Sequence, residues 1–503
     1  MIKFIYIIVF FFNTIALTAN ELKYETSPYL KQHAKNPINW YAYNDKTLAL
    51  AKKENKPIFL SIGYSTCHWC HLMAEESFTN EKLAKLFNKY FISIKVDKEE
   101  MPHLDAYYQK LHKINKKHPA GWPINIFMTP QKEVFYMSGY IPPNSKEDYI
   151  GFDKLLIELS QQYKSKKFKI FKTSSSSIPL HVEKVWDDFG IGFGSGAKFP
   201  EVARIHKLLD NNDKRAYEML DVIAMRGLYD HVDGGFFRYT IDCDWEIPHF
   251  EKMLYNQAEL IGVYTRAYLL SKKELYKKVV EETVAFCDER FLKDNVYFSA
   301  SDAVSNKEEG GYYIFSKKEL LEVFKDTKYA TPFNSKYHIT SDTNKRDELK
   351  KIRSKKLYPF IDKKINTAWN ALMIEALYKA SKIDKKYELQ ADTSLKVLTK
   401  LMFDKGELYH QTLLHVEAKQ KGFLEDYSFM ISALLSGYEV TNDEEKLNFA
   451  KYLYVVAKRK FYKDGSWYLS DDELEIKANI DSTHYTSPLT KMLKNIKKLD
   501  NLL

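Results

Sequence analysis

Two cysteines, Cys67 and Cys70, form the spacing in this sequence that most directly suggests chemistry. They follow a predicted buried strand at residues 57–63 and a short turn, and Cys67 stands at the start of a predicted helix. A helix N-terminus stabilises a thiolate because its free N–H groups and its dipole favour negative charge. Cys70 lies one turn further along, where it can form a disulfide with Cys67. The pair therefore predicts thiol–disulfide exchange, with Cys67 as the attacking thiol and Cys70 as the resolving thiol.

The residues around the pair favour a thioredoxin-like fold. An imidazole beside the first thiolate, here that of His68, can stabilise it further. Pro123, in a Trp-Pro pair just before a predicted strand, occupies the place of the cis-proline that faces the disulfide in such folds. Ser61 stands where thioredoxins carry a buried acid, which predicts an unusual proton path or weak general reductase activity. The predicted catalytic set, with no metal and no cofactor, is Cys67, Cys70, His68, Trp69 and Pro123.

Three other interpretations of the pair remain open on the sequence alone. Cys67 to His71 also match the Cys-x-x-Cys-His pattern of c-type haem attachment. A zinc site could combine Cys67, Cys70 and His71 with a further histidine, although a second Cys-x-x-Cys is missing. The pair could also be a structural or vestigial disulfide. The strand–helix–strand order and the Trp-Pro pair favour the redox interpretation. The further histidines considered for zinc are His103, His112 and His118.

Composition and charge indicate a folded protein of more than one domain. The 503 residues exceed what one hydrophobic core usually holds, and 45% of them are hydrophobic. The net charge of +9 comes from lysines spread along the whole chain, so we predict no nucleic-acid partner. Four cysteines in a chain of this length do not form a disulfide scaffold.

The first 19 residues have the pattern of an export signal. Lys3 precedes an apolar run at residues 4–17, and small residues follow at Ala16, Thr18 and Ala19. The run is shorter than the ~20 residues that a membrane helix needs. We therefore predict a cleaved signal, no stable membrane insertion after cleavage and a periplasmic or secreted protein, with a retained anchor as the alternative.

The rest of the chain divides into two parts by its predicted elements. Residues 20–165 alternate short apolar strands with helices, which predicts an α/β thioredoxin-like domain. A lysine- and serine-rich stretch at residues 166–181 predicts a linker. Residues 182–503 contain paired amphipathic helices, which predict an all-α (α/α) toroid around a cleft. The predicted helices of this part are residues 202–210, 216–229, 251–271, 274–291, 367–382, 387–403, 424–440 and 444–461.

Several long motifs extend across both parts. The first part carries Ser27-Pro28-Tyr29-Leu30 and Gly121-Trp122-Pro123, and the second carries Lys198-Phe199-Pro200 and Leu424-Glu425-Asp426-Tyr427. On these motifs, and on residues 59–71 and 248–255, the chain resembles a family that joins a thioredoxin-like domain to a six-hairpin helical barrel and whose animal member is called spermatogenesis-associated. Compared with that family, the segment between residues 324 and 362 is compressed and few residues follow position 483. We therefore expect a shortened or open ring.

The resemblance implies a second site in the cleft of the helical domain. It implies a barrel like those of N-acylglucosamine 2-epimerases and some glycosidases, which keep acids, histidines and aromatic residues around one cleft. Sugar chemistry needs two titratable groups on opposite sides of the ring, and His249 with Asp426 or Asp302 could supply them. Glu251 and Asp426 could instead stabilise helix N-termini. The candidate cleft residues are Asp230, His231, Arg238, Trp245, His249, Glu251, Asp302, Trp369, Asn370, Glu425 and Asp426.

Two functions from different classes follow from these motifs. The leading prediction is a thiol–disulfide oxidoreductase with a protein thiol or disulfide as its partner, fused to a toroid that binds a sugar-like ligand. The alternative is a carbohydrate-binding or carbohydrate-modifying protein, epimerase- or glycosidase-like, whose thioredoxin-like domain is not catalytic. A third possibility, a pure scaffold, predicts that neither Cys67 nor His249 matters.

Overall fold

The structure is a computed structural model that describes residues 20–118, 120–173, 185–480 and 485–502. The first domain is built on a five-stranded sheet: β1 (Trp40–Ala42), β2 (Ile58–Gly63), β3 (Ile92–Asp97), β4 (Ile124–Met128) and β5 (Val134–Ser138). The strands lie in the order β1-β3-β2-β4-β5. β2 pairs in parallel with β3 and antiparallel with β4, and every residue of these three strands is buried. β2 and β4 are largely apolar, whereas β3 alternates apolar residues with Ser93, Lys95 and Asp97, and all three strands are covered on both faces.

Six helices cover the two faces of this sheet. Because side chains alternate along a strand, Phe59 of β2 packs into one core with Phe87, and Leu60 packs into the other core with Leu104. The helix that begins after Cys67 is regular only to Met73, and a π-helical turn continues it over Ala74–Phe78. The helices are α1 (Pro28–Gln32), α2 (Asp45–Glu54), α3 (His68–Met73), α4 (Glu81–Tyr90), α5 (Pro102–Lys116) and α6 (Phe152–Ser165).

The second domain is largely helical and toroid-like, as the sequence predicts. Its helices are α7 (Val202–Asp210), α8 (Arg215–Met225), α9 (Leu254–Ser271), α10 (Glu274–Arg290), α11 (Lys317–Phe324), α12 (Arg346–Arg353), α13 (Thr367–Ala380), α14 (Lys386–Met402), α15 (Leu424–Thr441), α16 (Glu444–Phe461) and α17 (Pro488–Asp500). α13 packs between α9 and α15, and α15 also contacts α17, which makes these four the inner helices. α10, α14 and α16 each pack outside an inner helix. α9, α13 and α15 are buried on most sides because they are apolar nearly all round, whereas α17 buries one face.

Five helices of the described residues, α1, α6, α11, α12 and α17, fall outside the helices that the sequence predicts. α12 and the hairpin of Ala330–Phe333 with Lys336–Ile339 occupy the compressed segment. The predicted helix at residues 251–271 is wrong at its start, because Glu251 precedes a short strand and α9 begins only at Leu254. This error moves Glu251 from a helix N-terminus to the edge of a small sheet.

The small sheet joins three loops of the second domain. Its strands are Lys252–Met253, Ala300–Ser301 and Ile361–Asp362, all antiparallel, and we call it the interface sheet. Glu251 and Asp302 lie at its ends, and both contact the first domain. The interface sheet therefore positions carboxylates against the thioredoxin-like domain.

Among the described residues, no helix has the length and apolarity needed to cross a membrane. The predicted signal at residues 1–19, and the predicted linker from residue 174 onward, lie outside the described residues. Export and a periplasmic or secreted location therefore stay predictions.

Candidate active site

Cys67 and Cys70 form a disulfide at the start of α3. Cys67 is the N-cap residue of this helix, and its Sγ accepts a hydrogen bond from the Cys70 backbone N–H at 3.2 Å. The buried strand β2 and the turn after it fix this position, since the Cys67 N–H donates to the Tyr64 carbonyl at 3.3 Å. Cys67 is 3% exposed and Cys70 is 2% exposed. The N–H groups at the helix start are placed to stabilise a thiolate on Cys67.

The proline predicted to face the pair follows a cis peptide bond, Trp122–Pro123. The Trp122 indole N–H donates to Asp105 at 2.9 Å, and its ring meets the Tyr64 ring edge-on at 5.8 Å. Trp69 extends to the other side, where it is 46% exposed and lies 5.6 Å from the ring of Tyr140. Trp69, which stands between the two cysteines in sequence, therefore forms an exposed aromatic contact beside the disulfide.

The turn that precedes the disulfide is bound to a buried ion pair of the second domain. Arg238 donates to Glu251 Oε1 at 2.8 Å and to the Tyr64 hydroxyl at 2.5 Å. The Tyr64 and Thr66 hydroxyls donate to the same carboxylate at 3.0 and 3.3 Å. Burial by itself raises the pKa of Glu251, but the charge of Arg238 outweighs it and the pKa is lowered. A charged Glu251 thus binds the turn that precedes the cysteine pair.

Histidines on both sides of the domain interface contact carboxylates of the second domain. His71 shares a 2.7 Å hydrogen bond with Asp302, and although burial opposes the charged imidazole, Asp302 raises its pKa. His68 Nε2 lies 3.5 Å from Glu309 Oε2, and His249 Nε2 lies 3.8 Å from Glu309 Oε1. Burial and the nearby Glu251 raise the pKa of Glu309 to about 7. These groups bring titratable protons to the residue that follows Cys67.

A lysine of the second domain is the centre of a buried charge cluster at the interface. Lys364 Nζ lies 2.5 Å from Asp97, 2.8 Å from Glu99 and 3.2 Å from Asp362. Asp362 also accepts a hydrogen bond from Ser65, which lies in the turn before Cys67. Burial opposes the charge of Lys364, but the carboxylates outweigh it and hold its pKa well above the usual value. This cluster ties the end of β3 to the interface sheet.

A histidine that the sequence analysis did not single out, His410, bridges the same two domains. Its Nδ1 lies 2.9 Å from Asp426, and its Nε2 lies 2.7 Å from the backbone carbonyl of Glu99. His410, Glu425 and Asp426 offer ligand atoms within 4.8 Å of one another, a spacing that a metal ion could use. Both imidazole nitrogens already face an acceptor, so a doubly protonated, charged ring fits the site best. We therefore interpret the group as an ion pair that holds the domains together.

We expect the ion pair of His410 to make stability fall in alkaline solution. Burial lowers the pKa of His410, but Asp426 outweighs it and raises the pKa from 6.5 to about 9. Because His410 has a higher pKa in the folded than in the unfolded protein, its ion pair contributes fully to stability below pH 6.5. This contribution is lost as the pH rises through about 9. The expected loss in the free energy of unfolding is about 3 kcal/mol, measurable by urea denaturation across this range. The His410→Gln variant should lack this part of the slope, and an equal slope in both proteins would contradict the assignment.

The other predicted cleft residues have structural contacts. Asp230 is buried between Lys252, at 2.8 Å, and Arg353, at 2.7 Å. Four others bind backbone or aromatic groups. His231 bonds the Arg226 carbonyl, and Trp245 donates to the Gly190 carbonyl. Asn370 bonds both backbone groups of Tyr297, and Trp369 packs on Tyr255. Glu425 accepts a hydrogen bond from Tyr485 at 2.5 Å, and Asp426 caps α15 by accepting from the Phe423 N–H at 2.7 Å. The structure thus brings Arg238, His249, Glu251 and Asp302 to the cysteine pair and places the others elsewhere.

Sequence reasoning missed Tyr64, Glu309, Lys364 and His410. Tyr64 lies within the motif at residues 59–71, and Glu309 follows the interface sheet in a Glu-Gly pair, so both had a weak signal. Lys364 stands among many lysines, and His410 lies in a short strand-like piece. Nothing in the local pattern distinguishes either residue. Their role depends on contacts across more than 260 positions of sequence, such as the 267 between Lys364 and Asp97.

Fold and site together define a two-domain protein in which a helical toroid covers the cysteine pair of a thioredoxin-like domain. Residues 19–180 match the family model Thioredox_DsbH, described as a protein of unknown function, DUF255. The chain belongs to the family of spermatogenesis-associated protein 20. The mouse protein of that name is 31% identical over 91% of this chain and 72% of its own length.

Two further similarities extend the comparison. An uncharacterized protein of Caenorhabditis elegans is 30% identical to this chain over 90% of it and 76% of that relative. A sugar epimerase from a ruminal bacterium has 14% sequence identity and a TM-score of 0.33, over 65% of this chain and 94% of the epimerase.

Proposed function

We propose that the protein catalyses thiol–disulfide exchange at Cys67 and Cys70. A thiolate of a reduced dithiol partner attacks Cys67 Sγ, which forms a mixed disulfide and breaks the Cys67–Cys70 bond. The electron pair of that bond passes to Cys70 Sγ. The second thiol of the partner then attacks the partner's sulfur in the mixed disulfide and releases Cys67. The partner loses two electrons and the cysteine pair gains them, and the reverse sequence reduces a partner disulfide.

The observation that carries this proposal is the place of the disulfide at the N-terminus of α3, under titratable groups of the second domain. The helix start favours a thiolate on Cys67, which is the better leaving and attacking group when its pKa is low. His71, one turn further on the same helix, shares a 2.7 Å hydrogen bond with Asp302 of the second domain. A structural disulfide needs none of these groups around it.

The contacts of the acidic residues support exchange chemistry over sugar chemistry. The carboxylates predicted to act on a sugar are each engaged: Glu251 with Arg238, Asp302 with His71 and Asp426 with His410. Two of these carboxylates also contact the thioredoxin-like domain: Glu251 accepts a hydrogen bond from Tyr64, and Asp302 bonds His71. A glycosidase-type pair would instead need carboxyls that face each other across an open space.

We also propose that a protein partner first contacts the exposed face of Trp69. Cys67 is 3% exposed, whereas the neighbouring Trp69 is 46% exposed and is backed by Tyr140. An aromatic platform next to a covered sulfur suits a protein thiol or disulfide, which can bind the surface before exchange.

The test is a redox titration of the purified protein, with thiols counted by alkylation and assigned to peptides by mass spectrometry. We expect a reversible two-electron change at Cys67 and Cys70, within the potential range of cellular dithiols of about −120 to −270 mV. Cys243, which is exposed and unpaired, and the buried Cys287 serve as internal controls whose alkylation should not follow the potential. A pair that stays oxidised under strong reductant would sink the proposal.

A further inference from the structure

This inference concerns Cys70 and rests on the exchange chemistry proposed above. When the disulfide opens, Cys70 Sγ receives the electron pair and becomes a thiolate at a site that is 2% exposed. Water cannot solvate it there, so a protein group has to stabilise the charge or supply a proton. The groups that surround Cys70 Sγ therefore control how readily the pair opens and how readily Cys70 attacks.

An uncommitted polar atom close to Cys70 Sγ is the hydroxyl of Tyr29. Tyr29 is 1% exposed, and its hydroxyl has no hydrogen-bond partner among the described residues. A Cβ added to Gly63 would lie 2.3 Å from Tyr29 Oη and 2.7 Å from Cys70 Sγ. These two atoms are therefore closer together than the sum of those distances. Gly63, the last residue of β2, leaves the space through which the hydroxyl and the sulfur approach each other.

A buried acid does not serve Cys70 from the position that thioredoxins use. Ser61 occupies that position and accepts a hydrogen bond from Lys95 Nζ at 3.1 Å. Lys95 makes no ion pair in the described part of the chain, and it lies over the rings of Phe78 at 4.5 Å and Tyr29 at 5.1 Å. A lysine–serine pair next to the Tyr29 ring thus stands where thioredoxins carry a buried carboxyl.

We propose that Tyr29 is the hydrogen-bond donor to Cys70. In the oxidised protein its hydroxyl has no acceptor among the described residues, and once the Cys67–Cys70 bond breaks, the Cys70 thiolate supplies one. The O–H of Tyr29 donates to the sulfur, which stabilises the thiolate that leaves Cys67 and lowers the pKa of the Cys70 thiol. The same bond keeps Cys70 ready to attack a mixed disulfide on Cys67.

The test uses the full chain with Cys67→Ser, in which Cys70 is a free thiol whether or not the pair is redox-active. The rate of alkylation of the Cys70 peptide by iodoacetamide is measured against pH, with and without Tyr29→Phe. We expect Tyr29→Phe to raise the apparent pKa of Cys70 by about 1 to 2 units, the effect of losing one hydrogen bond to a charged group. The other ionisable side chains around this site are the same in both proteins, namely His33, His71, Lys95, Asp97 and Asp302.

Tyr108→Phe is the matched control. Tyr108 is also buried, at 2% exposure, but its hydroxyl donates to Met128 on the opposite face of the sheet. It should leave the Cys70 profile unchanged. An apparent pKa of Cys70 that differs by less than about 0.3 units between the Tyr29→Phe protein and its parent would overturn the proposal. The rate at which Cys70 resolves a mixed disulfide on Cys67 gives a second readout in the chain with both cysteines, and we expect Tyr29→Phe to slow it about tenfold or more.

These outcomes separate the two proposals. If the pair cannot be reduced in the wild-type chain but Tyr29→Phe still raises the apparent pKa of Cys70, the exchange function is wrong and the hydrogen bond from Tyr29 is supported. If the pair titrates normally and Tyr29→Phe changes neither readout, the exchange function stands and Tyr29 has no part in it.

Discussion

The Cys70→Ser variant is expected to accumulate a mixed disulfide with its partner, and the Cys67→Ser variant is expected to form none. Cys67 is the N-cap of α3 and takes the hydrogen bond of a helix N–H, so it is the sulfur with a stabilised thiolate. Without Cys70, nothing within the protein releases the partner from Cys67. Exchange with a dithiol substrate should fall to the uncatalysed rate in both variants, a loss of roughly a thousandfold or more. Non-reducing electrophoresis and mass spectrometry measure the trapped species.

The remaining cysteines provide the controls for this experiment. Cys243→Ser removes the exposed free thiol and should leave exchange unchanged, because Cys243 lies in a loop of the second domain and has no disulfide partner. Trapping on Cys70 instead of Cys67 would reverse the assigned roles. Full exchange activity in the Cys67→Ser variant would exclude this pair as the reactive centre and return attention to the groups around His249.

Replacing Lys364 by methionine is expected to destabilise the protein strongly and to uncover the disulfide. Lys364 neutralises Asp97, Glu99 and Asp362, all of them buried, and these carboxylates come from both domains. Removing one partner of a buried ion pair costs about 3–5 kcal/mol because the opposite charge stays uncompensated. Urea denaturation should show this loss, and the reduction of Cys67–Cys70 by a small phosphine should become faster as the domains separate.

Lys363→Met is the matched control for this effect. Lys363 is the neighbouring residue but is exposed, so the same change of side chain there should alter the free energy of unfolding by less than about 0.5 kcal/mol. A Lys364→Met protein with unchanged stability would mean that carboxylates of the cluster become protonated when the lysine is lost. Glu99 is already close to that state, because burial raises its pKa to about 7. Unchanged disulfide reactivity in a destabilised variant would show that the cluster does not keep the second domain over the pair.

The local elements of both domains could be predicted from the sequence because they depend on short-range pattern. β2 is a short and largely apolar run, and α7 and α16 have the bounds that their apolar spacing predicts. α12, in the compressed segment, was missed because it is short and most of its residues are charged, which leaves little apolar pattern. The start of α9 was misplaced because Glu251 resembles a helix-capping acid in sequence but pairs with Arg238 in the folded chain.

The sequence by itself determined where the cysteine pair lies, at the turn between a buried strand and a helix, because these neighbouring elements depend on short-range pattern. It also determined the two fold types, because the hydrophobic periodicity changes from alternating strands to paired helices. Only the tertiary structure decided how the candidates combine: Glu251, Asp302 and Lys364 meet the cysteine domain, whereas Asp230 lies in a separate buried ion pair. Burial and pairing depend on distant contacts that bring charges into a low-dielectric interior, and spacing along the chain does not encode which buried charges will meet.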